Sequence, residues 1–319
     1  MEKTIAKKTS DTPVRKKYKP VKKHQTKQDI VFNIINYAIF ALFTITCIFP
    51  FYYLFINTIS DNDLVIKGAI NFLPRGIHFG NYLTLVSNKD LMVSFGVTVA
   101  RTVLGTALMV AASGLIGYIV TKKELWGRKI WYRFLIITMY FNAGLIPWFL
   151  NMQMLGLTNN FLAYIIPGIV APYNIILVKT YIESIPAELE ESAFMDGATH
   201  MVVFRKIIWP LCKPILATVA IFGAVGNWNS MQDSLILMQS APQLYTLQHR
   251  LYIYLNQASN LKALMESAGA VSEAAVKSAL GGKTIKYTIS MVTVIPILIV
   301  YPFMQRYFEK GIMLGAVKG

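Results

Sequence analysis

Two clusters hold the side chains of this 319-residue chain that are able to do chemistry. The first is acidic: Glu188, Glu190, Glu191 and Asp196, interleaved with Leu189, Ser192, Ala193 and Gly197. The second, at the end of an apolar run, is Asn227, Trp228, Asn229, Ser230, Gln232 and Asp233. Carboxylates can act as a general acid and base, but such a pair must face a shared cleft. These acids are strung along one helical segment instead. Amides beside an indole suit a hydroxyl-rich ligand with an apolar ring face, provided they look into a wet cavity. The same groups can equally join one membrane helix to another by hydrogen bonds, and both uses stay open here. Arg101 and Asp233 are charges inside apolar sequence, and such charges pair or line a pathway. At about 1.5 Å of rise per residue they differ in depth by about 10 Å, much of which an arginine side chain covers. A contact between them is expected.

Other catalytic sets are missing from the sequence. His24, His78, His200 and His249 are scattered, and Cys47 and Cys212 have neither disulfide nor metal-ligand spacing. The segment Lys277–Thr284, KSALGGKT, ends like a phosphate-binding loop but has Lys277 where the first glycine belongs. No catalytic residue, metal or bound cofactor is expected of this chain.

The elements that must position these clusters are apolar helices. The chain is 55% hydrophobic and only 15% charged, against about 25% charged in soluble domains. Its apolar runs reach the 18 or more residues that cross a hydrocarbon core of about 30 Å. The net charge of +15 is concentrated near the start, in Lys3, Lys7, Lys8, Arg15, Lys16, Lys17, Lys19, Lys22, Lys23 and Lys27. That placement marks a cytoplasmic tail rather than a nucleic-acid surface, and no cleavable signal peptide is evident. The reading is an all-α polytopic membrane protein: a disordered basic tail, 1–29, then a transmembrane domain, 30–308, of six transmembrane helices. The spans are expected at about 30–59, 91–120, 134–155, 161–182, 215–237 and 285–308. Lys122, Lys123, Arg128, Lys129 and Arg133 put the loop after span two inside the cell. A cytoplasmic loop over 183–213, an outer loop over 238–284 with a helix near 258–280, and a cytoplasmic tail over 309–319 follow by counting. Both termini are then cytoplasmic. Pro50, Pro147, Pro167, Pro172, Pro296 and Pro302 interrupt the spans, which is tolerated where a neighbour or a wet cavity satisfies the freed carbonyls.

The acidic loop reads locally as a helix with Ser184 as its cap and Pro186 in its first turn. Glu188, Glu190 and Glu191 then lie near the positive end of the helix dipole, and Gly197 supplies either a left-handed stop or a place for close backbone approach. Glu191, Ser192 and Ala193 are followed after three residues by Gly197, and after nine more by Ile207, Ile208, Trp209 and Pro210. This spacing resembles the E-A-A…G…I-x-L-P loop of ABC importer permeases, with Ser192 for an alanine and Trp209 for a leucine. The resemblance continues through Ala143-Gly144-Leu145-Ile146-Pro147, Leu155-Gly156-Leu157, Thr98–Leu108, Ala224–Asp233 and Gly311–Gly319. These segments are similar to the maltose-type branch that carries polysaccharides and oligosaccharides, with Met231 and Gln232 where that branch more often has aromatics.

The resemblance implies a MetI-like, type I importer transmembrane fold and a permease role in the bacterial cell membrane. It implies that Glu188, Leu189, Glu190, Glu191, Ser192, Ala193, Asp196 and Gly197 couple to a cytoplasmic ABC ATPase dimer, which would hold ATP and Mg. The further implied partners are a second homologous permease in a heterodimer, an extracellular solute-binding (lipo)protein, a sugar or oligosaccharide, and membrane lipid. Arg101, Asn227, Trp228, Asn229, Gln232 and Asp233 are then candidates for the substrate pathway. The rival class is a secondary transporter or channel for a small polar solute, which shows inverted repeats and broken spans; no such repeat is found.

Overall fold

A computed structural model describes residues 26–256 and 284–302. The basic tail up to residue 25, the helix expected near 258–280, most of the KSALGGKT segment, the end of span six and the C-terminal tail lie outside the described residues. Among the described residues all regular structure is helical.

Helix α1, Lys27–Ile59, opens on a reciprocal cap. Asp29 accepts from the Thr26 backbone N–H at 2.9 Å, and the Thr26 hydroxyl accepts from the Asp29 N–H at 3.3 Å. The chain divides into two compact units at Pro50/Phe51. In the first, α1 is apolar on every side, with Phe32, Tyr37, Leu42 and Phe43 all exposed. A helix with no polar face belongs in lipid.

The second unit begins with the end of α1 and two short helices, α2 (Asn62–Ile66) and α3 (Gly80–Ser87). It is organised on α4, Lys89–Thr121, whose first turn is capped by the Asn88 side chain accepting from Asp90 and Leu91. The rest is α5 (Arg128–Tyr140), α6 (Leu145–Met154), two 3-10 turns at Phe161–Tyr164 and Ile166–Gly168, and α7 (Pro172–Ile182). Helix α8 (Glu188–Met195), α9 (His200–Leu211), α10 (Lys213–Asn229), α11 (Gln232–Leu237), α12 (247–256) and α13 (Thr284–Pro302) complete the unit.

Among the described residues, helices α1, α4 and α13 are each long and apolar enough to cross a bilayer, and three bent pairs pass together, giving up to six crossings. The expected third span is drawn as α5 and α6 at 118°, broken where Gly144 takes φ +90 and its N–H is held by the Asn142 side chain at 2.9 Å. The expected fourth bends by 41° between the 3-10 turns and α7, at Pro167 and Pro172, neither of which can donate a backbone bond. The expected fifth stops at Asn229 and resumes as α11. Helix α9 includes a π-turn over Phe204–Ile208, in which the Trp209 N–H reaches the Phe204 carbonyl five residues back.

Because lipid offers no hydrophobic drive between helices, close packing must hold them together. On α4 that closeness comes from glycines. A β-carbon at Gly114 would stand 2.6 Å from the Trp209 ring, and one at Gly117 would stand 3.1 Å from Val178. Helices α7, α9 and α10 thus close on α4 around buried Met109, Val178, Ile208, Leu216 and Val219. Gly114→Val should cost about 1–3 kcal/mol by overpacking, read as a lower unfolding midpoint of the detergent-solubilised protein. Gly223→Ala, whose nearest neighbour is only the flexible tip of Met109, should shift it far less.

Candidate functional site

The acidic cluster forms α8, but its start differs from expectation. Ala187 stands at the N-cap with no side-chain hydrogen bond, and the Ser184 hydroxyl turns back to donate to the Tyr181 carbonyl at 2.6 Å. The end of α7 claims this hydroxyl before α8 can use it. The helix start is instead favoured by three carboxylates in its first turn, Glu188, Glu190 and Glu191. It ends in a Schellman motif: Gly197, at φ +82, donates to Phe194 and Ala198 donates to Ala193, both at 3.0 Å.

The eight residues present two faces. Leu189, Glu188, Glu191, Ser192, Phe194 and Met195 are exposed, Met195 at 88%. Ala193, followed by Ala198, packs on the core around Val203 and Phe204. Glu190, expected among the outward docking groups, is turned inward and pairs with Lys122 at the end of α4. The Lys122 ammonium also lies 4.1 Å from the centre of the Tyr118 ring. Beside it, Glu183 accepts from Lys179 at 2.7 Å and from Arg128 at 3.2 Å, while Arg128 Nε donates to the Val120 carbonyl. Lys122 and Arg128 were legible only as topology signals. Their partners lie 68 and 55 residues away, beyond any local pattern. Burial, with the Glu190 charge alongside, pushes the Cys212 thiol up to about 12, so it stays protonated.

The second cluster divides. Trp228, a candidate surface for a ring-shaped ligand, is buried. Its indole N–H donates to the Thr293 carbonyl at 2.9 Å, and its ring meets Phe95 edge-on at 6.1 Å. Asn227 reaches Thr106 on α4 at 3.5 Å, and Asn229 accepts from Gln248 at 3.3 Å. These three join helices. Ser230, Gln232 and Asp233 line a cavity of about 370 Å³ together with Asn142, Gly144, Leu145 and Trp148. Asn142 comes from the α5–α6 break and Trp148 from α6, whose fold back toward α11 no sequence spacing announces.

Arg101 and Asp233 meet. Arg101 is 3% exposed and bonds both carboxylate oxygens of Asp233, one at 3.1 Å, and the Ser230 carbonyl at 3.3 Å. Its guanidinium lies 4.6 Å from the centre of the Tyr164 ring. Asp233 also accepts from the Ser230 hydroxyl and the Ser234 N–H, so one carboxylate fixes both sides of the break between α10 and α11. Ser234 in turn meets Nδ1 of the buried His249 at 2.9 Å. Burial, with Arg250 adjacent, holds that imidazole below the ordinary histidine range.

Residues 113–314 match the family described as "Binding-protein-dependent transport system inner membrane component". Protein LplC of Bacillus subtilis (strain 168) is 32% identical, across 93% of this chain and 98% of that protein. The polygalacturonan/rhamnogalacturonan transport system permease protein YtcP of the same organism is also 32% identical, across 91% and 99%. Among solved structures, a bacterial ABC transporter involved in the import of the acidic polysaccharide alginate superposes with a TM-score of 0.76 at 31% identity, covering 89% of this chain and 98% of that one.

Removing one member of a buried pair strands the other at a cost of about 3–5 kcal/mol. Arg101→Leu and Asp233→Leu should therefore each lower the unfolding midpoint, and the double variant should lose clearly less than the sum. Additive shifts would show that the two side chains act independently. Protonating His249 opposes the fold, so its contribution is present above the unfolded histidine pKa of about 6.5 and is lost as pH falls below it. Midpoints taken from pH 7.5 down to 5 should drop less steeply in His249→Gln than in the parent.

Proposed function

Because the chain belongs to the family of binding-protein-dependent transport system inner membrane components, we propose that it is the permease half-site of an ATP-driven sugar importer. It works as one of two homologous permeases in the bacterial plasma membrane, with both termini in the cytoplasm. An extracellular solute-binding protein delivers an oligosaccharide to the pair. A cytoplasmic ATPase dimer, carrying ATP and Mg²⁺, drives it. Its relatives include arabinooligosaccharide, lactose and galactooligosaccharide permeases, which supports a carbohydrate cargo.

The observation that carries the coupling role is α8 itself. It is a short acidic helix, with no buried residue, showing Leu189 and Met195 to the outside. Exposed apolar side chains ringed by carboxylates suit insertion into a cleft on another protein. When the two ATPase subunits close on nucleotide, they push α8. The helices attached to it then swing between arrangements open to either side of the membrane. The cavity beside Gln232 and Trp148 supplies amides, a hydroxyl and an indole along the route, groups that can replace the water around a sugar's hydroxyls and cover its apolar ring face. ATP hydrolysis belongs to the partner, and this chain supplies binding, orientation and the moving wall.

The complex purified through a tag on this chain should retain an ATPase subunit. Glu191→Ala should weaken that retention or cut ATP-dependent uptake of pectin- or arabinan-derived oligosaccharides about ten-fold. Gly197→Val, which forces a β-branched residue into the left-handed region, should do the same. Purification without any ATPase, in a complex that transports without nucleotide, would overturn the assignment.

A further inference from the structure

We infer that Lys122 is the positioning residue that carries the movement of α8 into the membrane-spanning part of the chain. This rests on α8 being the ATPase-coupling helix, and it goes beyond that reading by naming the joint through which the push must pass.

An isolated eight-residue helix is far below the length at which helices hold themselves together in water. Helix α8 buries none of its residues, so it moves with whatever side chains tie it down. Phe194 meets the His200 ring edge-on at 4.8 Å, which ties α8 to α9, and the small side chains of Ala193 and Ala198 pack on the core with no directional bond. The directed contact that ties α8 to α4 is the Glu190–Lys122 pair, with both side chains only 17% exposed. Lys122 is at the C-cap of α4, so the pair fastens the inner face of α8 to the end of a 33-residue helix. The ammonium contacts both the Glu190 carboxylate and the face of the Tyr118 ring, and the two contacts together restrict it. Tyr118 in turn packs on Phe204 at 5.2 Å, the first residue of the π-turn that follows α8.

The far end of the same rod is also fixed. Arg101 precedes Lys122 by 21 positions, about 32 Å along an α-helix, and grips Asp233 at the edge of the cavity. A displacement of Glu190 thus has a continuous, stiff route through Lys122 and α4 to the cavity wall. The neighbouring Arg128–Glu183 pair provides the contrast. Its side chains are 33% and 39% exposed, and pairs so accessible to water contribute little.

The test uses the full complex, this chain with its partner permease and ATPase, in nanodiscs. A cysteine at Gln232 reports on the cavity in a Cys47→Ser, Cys212→Ala background. The probe is MgATP with orthovanadate, and the readouts are ATP turnover and the maleimide labelling rate. With Lys122 intact, trapping should change the labelling rate at least five-fold. Lys122→Met should keep the ATPase subunit bound and its turnover within two-fold, while the labelling change shrinks below about 1.5-fold; Glu190→Gln should shrink the labelling change equally. The exchanged pair, Lys122→Glu with Glu190→Lys, should restore most of the change, and Arg128→Gln should leave it nearly intact. A full labelling change in Lys122→Met overturns the proposal. So does loss of the ATPase subunit from that variant, failure of the exchanged pair, or an equal effect from Arg128→Gln. If the cavity shows no nucleotide-dependent change with Lys122 intact, the importer reading itself fails.

Discussion

Contact between helices that gain nothing from excluding water is the constraint on which the described structure depends. In hydrocarbon, apolar side chains have no reason to prefer one another over lipid, so helices adhere through close, dense packing and a few directed polar bonds. Helix α4 satisfies this by lacking side chains where other helices cross it. Trp209 fills the space over Gly114 and Val178 that over Gly117, while Asn227 lies against Gly105. Without those hollows, α7, α9 and α10 would stand off from α4, and neither the end that carries Lys122 nor the stretch that carries Arg101 would be in reach of its acid.

The polar bonds follow the same economy. Charges are scarce within the apolar part, and the buried Arg101 is matched by a carboxylate that serves several donors at once. Asp233 joins α4 to both sides of the α10–α11 break, so a kink that would expose backbone groups becomes a junction. The break between α5 and α6 is treated alike, with the Asn142 side chain accepting the Gly144 N–H. At both of these breaks a side chain takes up a freed backbone group, and both border the polar cavity described above.

Local patterns in the sequence were enough to find the helices and α8. Apolar runs pointed to helices long enough to cross a bilayer, and Gly197 marked the helix stop; of the prolines, Pro167 and Pro172 fall at a bend, while Pro50 and Pro296 lie inside unbroken helices. What the pattern could not supply was direction. Ser184 looked like a cap for α8, yet the nearer carbonyl of Tyr181 takes its proton. Glu190 looked like its neighbours Glu188 and Glu191, and only the fold reveals that one position along the helix turns it toward Lys122. Trp228 had the chemistry of a ligand platform, but its N–H is spent on Thr293, a residue whose proximity depends on how α13 packs. Arg101 and Asp233 could be matched in advance because an unpaired charge in lipid is so costly that few arrangements remain.

The π-turn at Phe204–Ile208 has a consequence for how this chain can change over time. One surplus residue in a helical turn rotates everything after it by roughly 100°, and here that rotation brings Trp209 over Gly114. Losing a single residue from this stretch would leave every hydrophobic side chain present yet swing the ring off its hollow. Descendants of this sequence can therefore exchange the exposed residues of α9, such as Met201, Val202, Arg205 and Lys206, but not shorten it, so the length of that segment is a heritable setting for the phase of the span that follows.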